Sequence, residues 1–144
     1  MRLRDEEGSI LPLICFYAAL ALAVTLVVAA ATSLYLERKR LFTLADGAAL
    51  VGAESFDLTA VAPTAHGPRV ELQPAQVDAA VRAYLAGNPI GTFESLRLEQ
   101  ATTVDGRSAT VTVSAIWRPP VVTAFVPEGL RVDATAVSRT VFGD

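Results

Sequence analysis

Hydrophobic and polar positions follow a different period in each part of this chain. From Gly8 to Leu36 there are 29 consecutive residues without a charge, GSILPLICFYAALALAVTLVVAAATSLYL. A helix in the core of a water-soluble protein keeps a polar face at 3.6-residue spacing, whereas Leu20, Leu22, Val24, Leu26, Val27 and Val28 cover every side of this one. About 20 apolar residues cross the hydrocarbon core of a bilayer. The pattern therefore predicts a transmembrane helix over 9–36, behind a short charged leader at 1–8. Pro12 falls near its start, where a missing backbone donor costs least. Glu37, Arg38, Lys39 and Arg40 end the apolar run as a water interface requires.

Helical spacing continues beyond that interface. In residues 37–56 there is no proline, and Leu41, Leu44, Ala45, Ala48, Val51 and Gly52 recur at intervals of three and four. The span is expected to run on as an amphipathic helix to about Ser55, with about half of a rod approaching 70 Å projecting from the bilayer. Small residues line that projection: Ala45, Ala49 and Ala53 on one row, Ala48 and Gly52 on the next. They form a candidate helix-packing interface, because small side chains let backbones approach closely. Equally, alanines favour helix and suit a face turned to the protein's own sheet. Spacing does not separate the two readings.

Residues 57–144 read as a small α+β domain. The stretch 57–73, with Pro63, Gly67 and Pro68, reads as a loop. A short helix opens at Pro74, carries Val77, Ala80, Val81, Tyr84 and Leu85 on one stripe, and ends at Gly87-Asn88-Pro89. Two β-rich runs follow over 96–117, joined by Asp105-Gly106, a dipeptide suited to a type I′ hairpin turn. In the second, Ala109, Val111, Val113, Ala115 and Trp117 alternate with Thr110, Thr112 and Ser114, so one face is buried. Pro119-Pro120 stops that strand. A third run from Leu130 to Phe142, entered through Pro127-Glu128-Gly129, completes a three-stranded antiparallel sheet whose apolar face needs a helix to cover it.

Composition narrows the function. Net charge is −3 and the basic residues after position 40 stand singly, so no stripe tracks a phosphate backbone and nucleic acid is not an expected partner. Catalysis needs convergent polar groups, and few exist. The single histidine, His66, sits in the 57–73 loop, and the single cysteine, Cys15, lies inside the apolar run. Asp46 and Glu54 are eight residues apart on one helix, about 12 Å along its axis, which is wide for a catalytic pair. No catalytic residue, cofactor site or metal site is expected. A cleavable secretory signal ending at Ala29-Ala30-Ala31 competes with the anchor. Against it, the leader lacks a net positive charge and the apolar run continues through Leu34, Tyr35 and Leu36. Basic residues flank the span almost equally, so charge does not orient it.

A short charged leader, Gly8, an apolar span and then LERKRLFTLADGAALVGAESF at 36–56 resemble the N-terminal region of Tad-type (tight adherence) pilus-assembly proteins, the TadE/TadG-like group. There the span is followed by a basic turn and a stretch close to ADAAALAGA. This chain matches it at Ala45, Asp46, Ala48, Ala49, Leu50, Gly52 and Ala53, with Gly47 and Val51 where alanine is usual. The remainder matches a small pilin-like domain by architecture alone. Position 13, five residues after Gly8, is leucine instead of the glutamate of processed pilins. The resemblance implies a single-pass protein of the cytoplasmic membrane, with its domain outside the cytoplasm. It also implies a structural role in a Tad/Flp-type pilus or secretion system, as a minor pilin or TadG-like assembly protein. The working residues would be the small ones at 45–53 with the motif acid Asp46, and the partners the bilayer and other pilus subunits met by helix packing. The alternative is an exported or membrane-anchored binding protein whose apolar segment is only an anchor or signal.

Overall fold

The computed structural model describes residues 10–57, 62–65, 67–87 and 91–140. A single helix, α1 (Ile10–Ala53), runs without a break through 44 residues, a length of about 66 Å. Thr25 and Thr32 return their hydroxyls to the carbonyls of Ala21 and Val28, at 2.8 and 2.9 Å, so neither leaves an unmet donor on the apolar surface.

Downstream of α1 come a short hairpin, β1 (Ala62–Thr64) with β2 (Gly67–Arg69), and then helix α2 (Pro74–Gly87). The second sheet comprises β3 (Arg97–Thr103), β4 (Ser108–Trp117) and β5 (Leu130–Arg139), all antiparallel in the order β3-β4-β5, with the four-residue helix α3 (Pro120–Thr123) between β4 and β5. All ten residues of β4 pair with β5, from Ser108 with Arg139 to Trp117 with Leu130.

The two-residue alternation of β4 buries Ala109, Val111, Val113, Ala115 and Trp117 on one face. From β5, Val132, Ala134 and Ala136 join them, while Leu130 at the strand's start is 42% exposed. α1 lies across β4 and β5, and α2 lies beside it over β3. Leu41, Leu44, Val77 and Val81 fill the layer between helices and sheet. The opposite face of the sheet is held by polar pairs across the strands. Ser114 Oγ donates to Glu99 Oε1 at 2.6 Å, Arg131 Nη2 reaches the same oxygen at 2.9 Å, and the Thr112 and Thr135 hydroxyls meet at 2.9 Å. The Ser114 hydroxyl, followed by Arg131, holds the Glu99 carboxyl below its usual range.

Three local features differ from the sequence-based expectation. Within 57–73 the chain forms the β1–β2 hairpin, in which Pro63 faces Pro68. Proline removes ladder donors and three-residue strands show no alternation, so the segment reads as loop. Pro119-Pro120 not only stops β4 but opens α3, with Pro120 at the start of that helix, where no donor is needed. The β3–β4 connection is not a type I′ turn, because Gly106 is left-handed at φ 67° while Asp105 is not. Instead the Asp105 carboxylate accepts the backbone N–H groups of Arg107 and Ser108 at 2.9 and 2.7 Å, closing a wider loop. Those two bonds, with one from the Ser108 hydroxyl, lower the Asp105 pKa to about 2. The leader, His66, Asn88-Pro89 and Phe142 lie outside the described residues.

Candidate functional site

α1 serves two environments. Every side chain from Ile10 to Ala29 is exposed, and none belongs to the core formed by the described residues. Contact begins at Ala30 and Leu34, which pack against the core, and at Ser33, whose hydroxyl accepts the Trp117 indole N–H at 3.2 Å. The free part is about 20 residues, or about 30 Å of helix, which matches the hydrocarbon thickness of a bilayer. Its most apolar window has a mean hydropathy of 2.6 and no buried residue. The domain thus grips α1 from Ala30, well before the charges at Glu37 and beyond.

The five small residues of the candidate packing interface lie together on the gripped part. Ala45, Ala48 and Ala49 are fully buried, Ala53 is 1% exposed, and Gly52 is buried with them. Their neighbours belong to this chain. A β-carbon added at Gly52 would lie 3.1 Å from the Ala109 Cβ, 3.1 Å from Val77 Cγ1 and 3.3 Å from Val81 Cγ2. Glycine here lets α1 seat against both α2 and β4.

Gly47, where alanine is usual in the resembling motif, has a specific reason. A β-carbon there would overlap the Tyr84 hydroxyl and lie 3.1 Å from Tyr84 Cζ. The half-buried phenol of α2 lies against bare helix backbone.

Asp46 is exposed on the other side of α1. It falls between Phe42 and Leu50, each about half exposed, on a ridge that continues downward through Tyr35, 63% exposed. Beside this ridge, Tyr35, Arg38, Lys39 and Phe42 share an open groove with Asp133 and Thr135 of β5, the edge strand. From sequence, Phe42 is not a candidate and Leu50 enters only as a match to the resembling stretch, not as an exposed ridge residue. Their signal was present, since both are large apolar residues lying off the stripe set by Leu41, Leu44, Ala45 and Ala48. Among the described residues no cluster of His, Cys, Asp or Glu has metal-binding proximity.

The geometry defines a class: one long helix, bare and apolar through its first half, clamped in its second half by an antiparallel sheet and a short helix. Residues 8–55 match the family described as putative Flp pilus-assembly TadE/G-like. The matched segment covers α1 and its C-terminal turn, about a third of the chain, so the similarity is one of this N-terminal region. The description of that family concerns pilus assembly, and the bare apolar part of α1 is long enough to cross a membrane. Neither the curated proteins nor the solved structures yield a match.

Proposed function

We propose that this protein is a membrane-anchored structural component of a Tad/Flp-type pilus or secretion machine, a minor pilin or assembly protein. It crosses the cytoplasmic membrane once, with its α+β domain on the extracytoplasmic side. The observation that carries this reading is α1 itself: a helix similar to the TadE/G-like model whose first 20 or so residues have no core partner among the described residues and fit a bilayer in length and polarity.

The small residues at 45–53 build the domain onto the helix, and this leaves the exposed ridge Phe42, Asp46 and Leu50 as the part of α1 available to other pilus subunits. Large apolar groups flanking a carboxylate supply buried area and one directional charge, the composition of a helix-packing contact with a basic partner. A photo-crosslinking residue placed at Phe42, Asp46 or Leu50, in cells expressing the remaining pilus proteins, is expected to capture another subunit. The same group at Ala48 or Ala49 is expected to react only within the chain. Capture from Ala49 with none from the ridge reverses the assignment. Orientation is tested by fusing to Asp144 a reporter active only after export, and a silent fusion with an active cytoplasmic reporter at the same place inverts the topology.

A further inference from the structure

β4 runs antiparallel to α1, and two contacts fix their relative level. Ala109 lies beside Gly52 near the outer end of the helix, and Trp117 bonds to Ser33 near the bilayer. Between those points α1 rises about 28 Å and β4 about 26 Å, so strand and helix keep pace. The chain leaving Trp117 therefore emerges at the height where the bare helix begins and is still heading toward lipid. There it makes α3, which touches α1 and packs Val122 against the core.

From Pro119 to Pro127 this loop carries no charge, reading PPVVTAFVP. Its tip holds Phe125, 85% exposed, with Val126 beside it at 37%. Its base is polar and closed. Arg118 Nε donates to the Glu128 carbonyl at 3.3 Å, and Arg118 Nη1 pairs with Glu94 at 2.6 Å. That ion pair sits next to Trp117, and sinking two charges into hydrocarbon is costly. The protein thus settles no deeper than the level of Ser33, which again leaves Ile10–Ala29 as the buried span. Arg38, Lys39 and Arg40 then stand about 12 to 15 Å above Ala30, among the lipid headgroups.

We propose that the Arg118–Gly129 loop is a second membrane contact, inserting Phe125 and Val126 into the interface of the bilayer that α1 spans. The inference rests on reading Ile10–Ala29 as that span. Two points of attachment, the helix and the loop, fix the tilt and rotation of the domain relative to the membrane, whereas one helix alone can tilt and turn about its own axis. A lipid surface is the occupant because the uncharged loop leaves β4 at the level where the bare helix begins, and a water-soluble partner at that level would have to enter the headgroup layer.

The test uses the full chain in vesicles of mixed phosphatidylcholine and phosphatidylglycerol. An environment-sensitive fluorophore is attached in turn to the native Cys15 inside the span and, in a Cys15→Ala background, to Phe125→Cys and Val104→Cys. Val104 is 89% exposed just past the end of β3, at the outer end of the domain. Lipids spin-labelled high in the acyl chain are expected to quench the labels at 15 and 125 and leave 104 unaffected. Iodide in solution should quench 104 several-fold more than 125. Trp117 emission checks that each labelled protein is folded. If the label at 15 is quenched by lipid while 125 is as open to iodide as 104, the loop faces water or a protein partner and the proposal fails with the anchor intact. If the label at 15 is not quenched by lipid, the span reading falls and takes the proposal with it.

Discussion

Replacing Gly52 by alanine sets helix propensity against packing at one position. Alanine gains up to about 1 kcal/mol over glycine inside a helix, but Gly52 is in the last turn of α1, where that gain is only partly realised. Against it, the new β-carbon meets three carbons at 3.1 to 3.3 Å, and none is the loose end of a flexible chain. The Ala109 Cβ is fixed to the backbone of β4, and Val77 and Val81 are β-branched residues with one strongly preferred rotamer in a helix. Overpacking of this kind costs about 1 to 3 kcal/mol. The net expectation for Gly52→Ala is a loss of about 1 to 2 kcal/mol, and for Gly52→Leu a loss large enough to part α1 from α2 and β4. Urea unfolding in detergent, followed by the emission of Trp117, measures it. That residue is the only tryptophan, and it reports from the far end of the same core. Val77→Ala in the Gly52→Ala background should recover part of the loss, a coupling of at least about 0.5 kcal/mol. A Gly52→Ala protein more stable than the parent by about 1 kcal/mol, with no coupling to Val77, would refute the close-packing argument.

Gly47→Ala should destabilise the parent, because its methyl group displaces the Tyr84 phenol, but should stabilise a Tyr84→Leu protein by up to about 1 kcal/mol through helix propensity; the same unfolding assay reads the change of sign. Gly129→Ala is expected to cost about 2 kcal/mol or more, since φ is 74° and the new carbon would lie 2.5 Å from Arg118 Cγ and 2.8 Å from the Trp117 carbonyl oxygen. The Asp105 carboxylate binds its turn only when ionised and its pKa is lowered from 3.8 to about 2, so its stabilisation is complete above about pH 4 and lost as pH falls toward 2. Denaturation curves across that window should show the component in the parent and lack it in Asp105→Ala.

Elements with a long, unbroken period were legible from sequence. The uncharged run and the three-and-four spacing after it mark α1, and the strict alternation from Ala109 to Trp117 marks β4 and its buried face. Elements shorter than their own period were not: β1 and β2 have three residues each and contain Pro63 and Pro68, and α3 has four. The Asp105-Gly106 pair marks the turn but not its type, because a side-chain acceptor takes the place of the second left-handed residue. At the candidate site the difficulty is physical. Close approach to another molecule's helix and close approach to one's own sheet both require Ala45, Ala48, Ala49, Gly52 and Ala53 to be small. Only tertiary contacts, such as Val77 and Ala109 against Gly52, reveal the neighbour.

The proposed role in pilus assembly requires the bilayer span. The direct measurement counts pili on cells lacking the protein, then on the same cells supplied with the full chain or with an exported form that lacks Ile10–Ala29. Few or no pili are expected without the protein, recovery with the full chain, and no recovery with the spanless form. Unchanged piliation in the deletion, or recovery with the spanless domain, would contradict it.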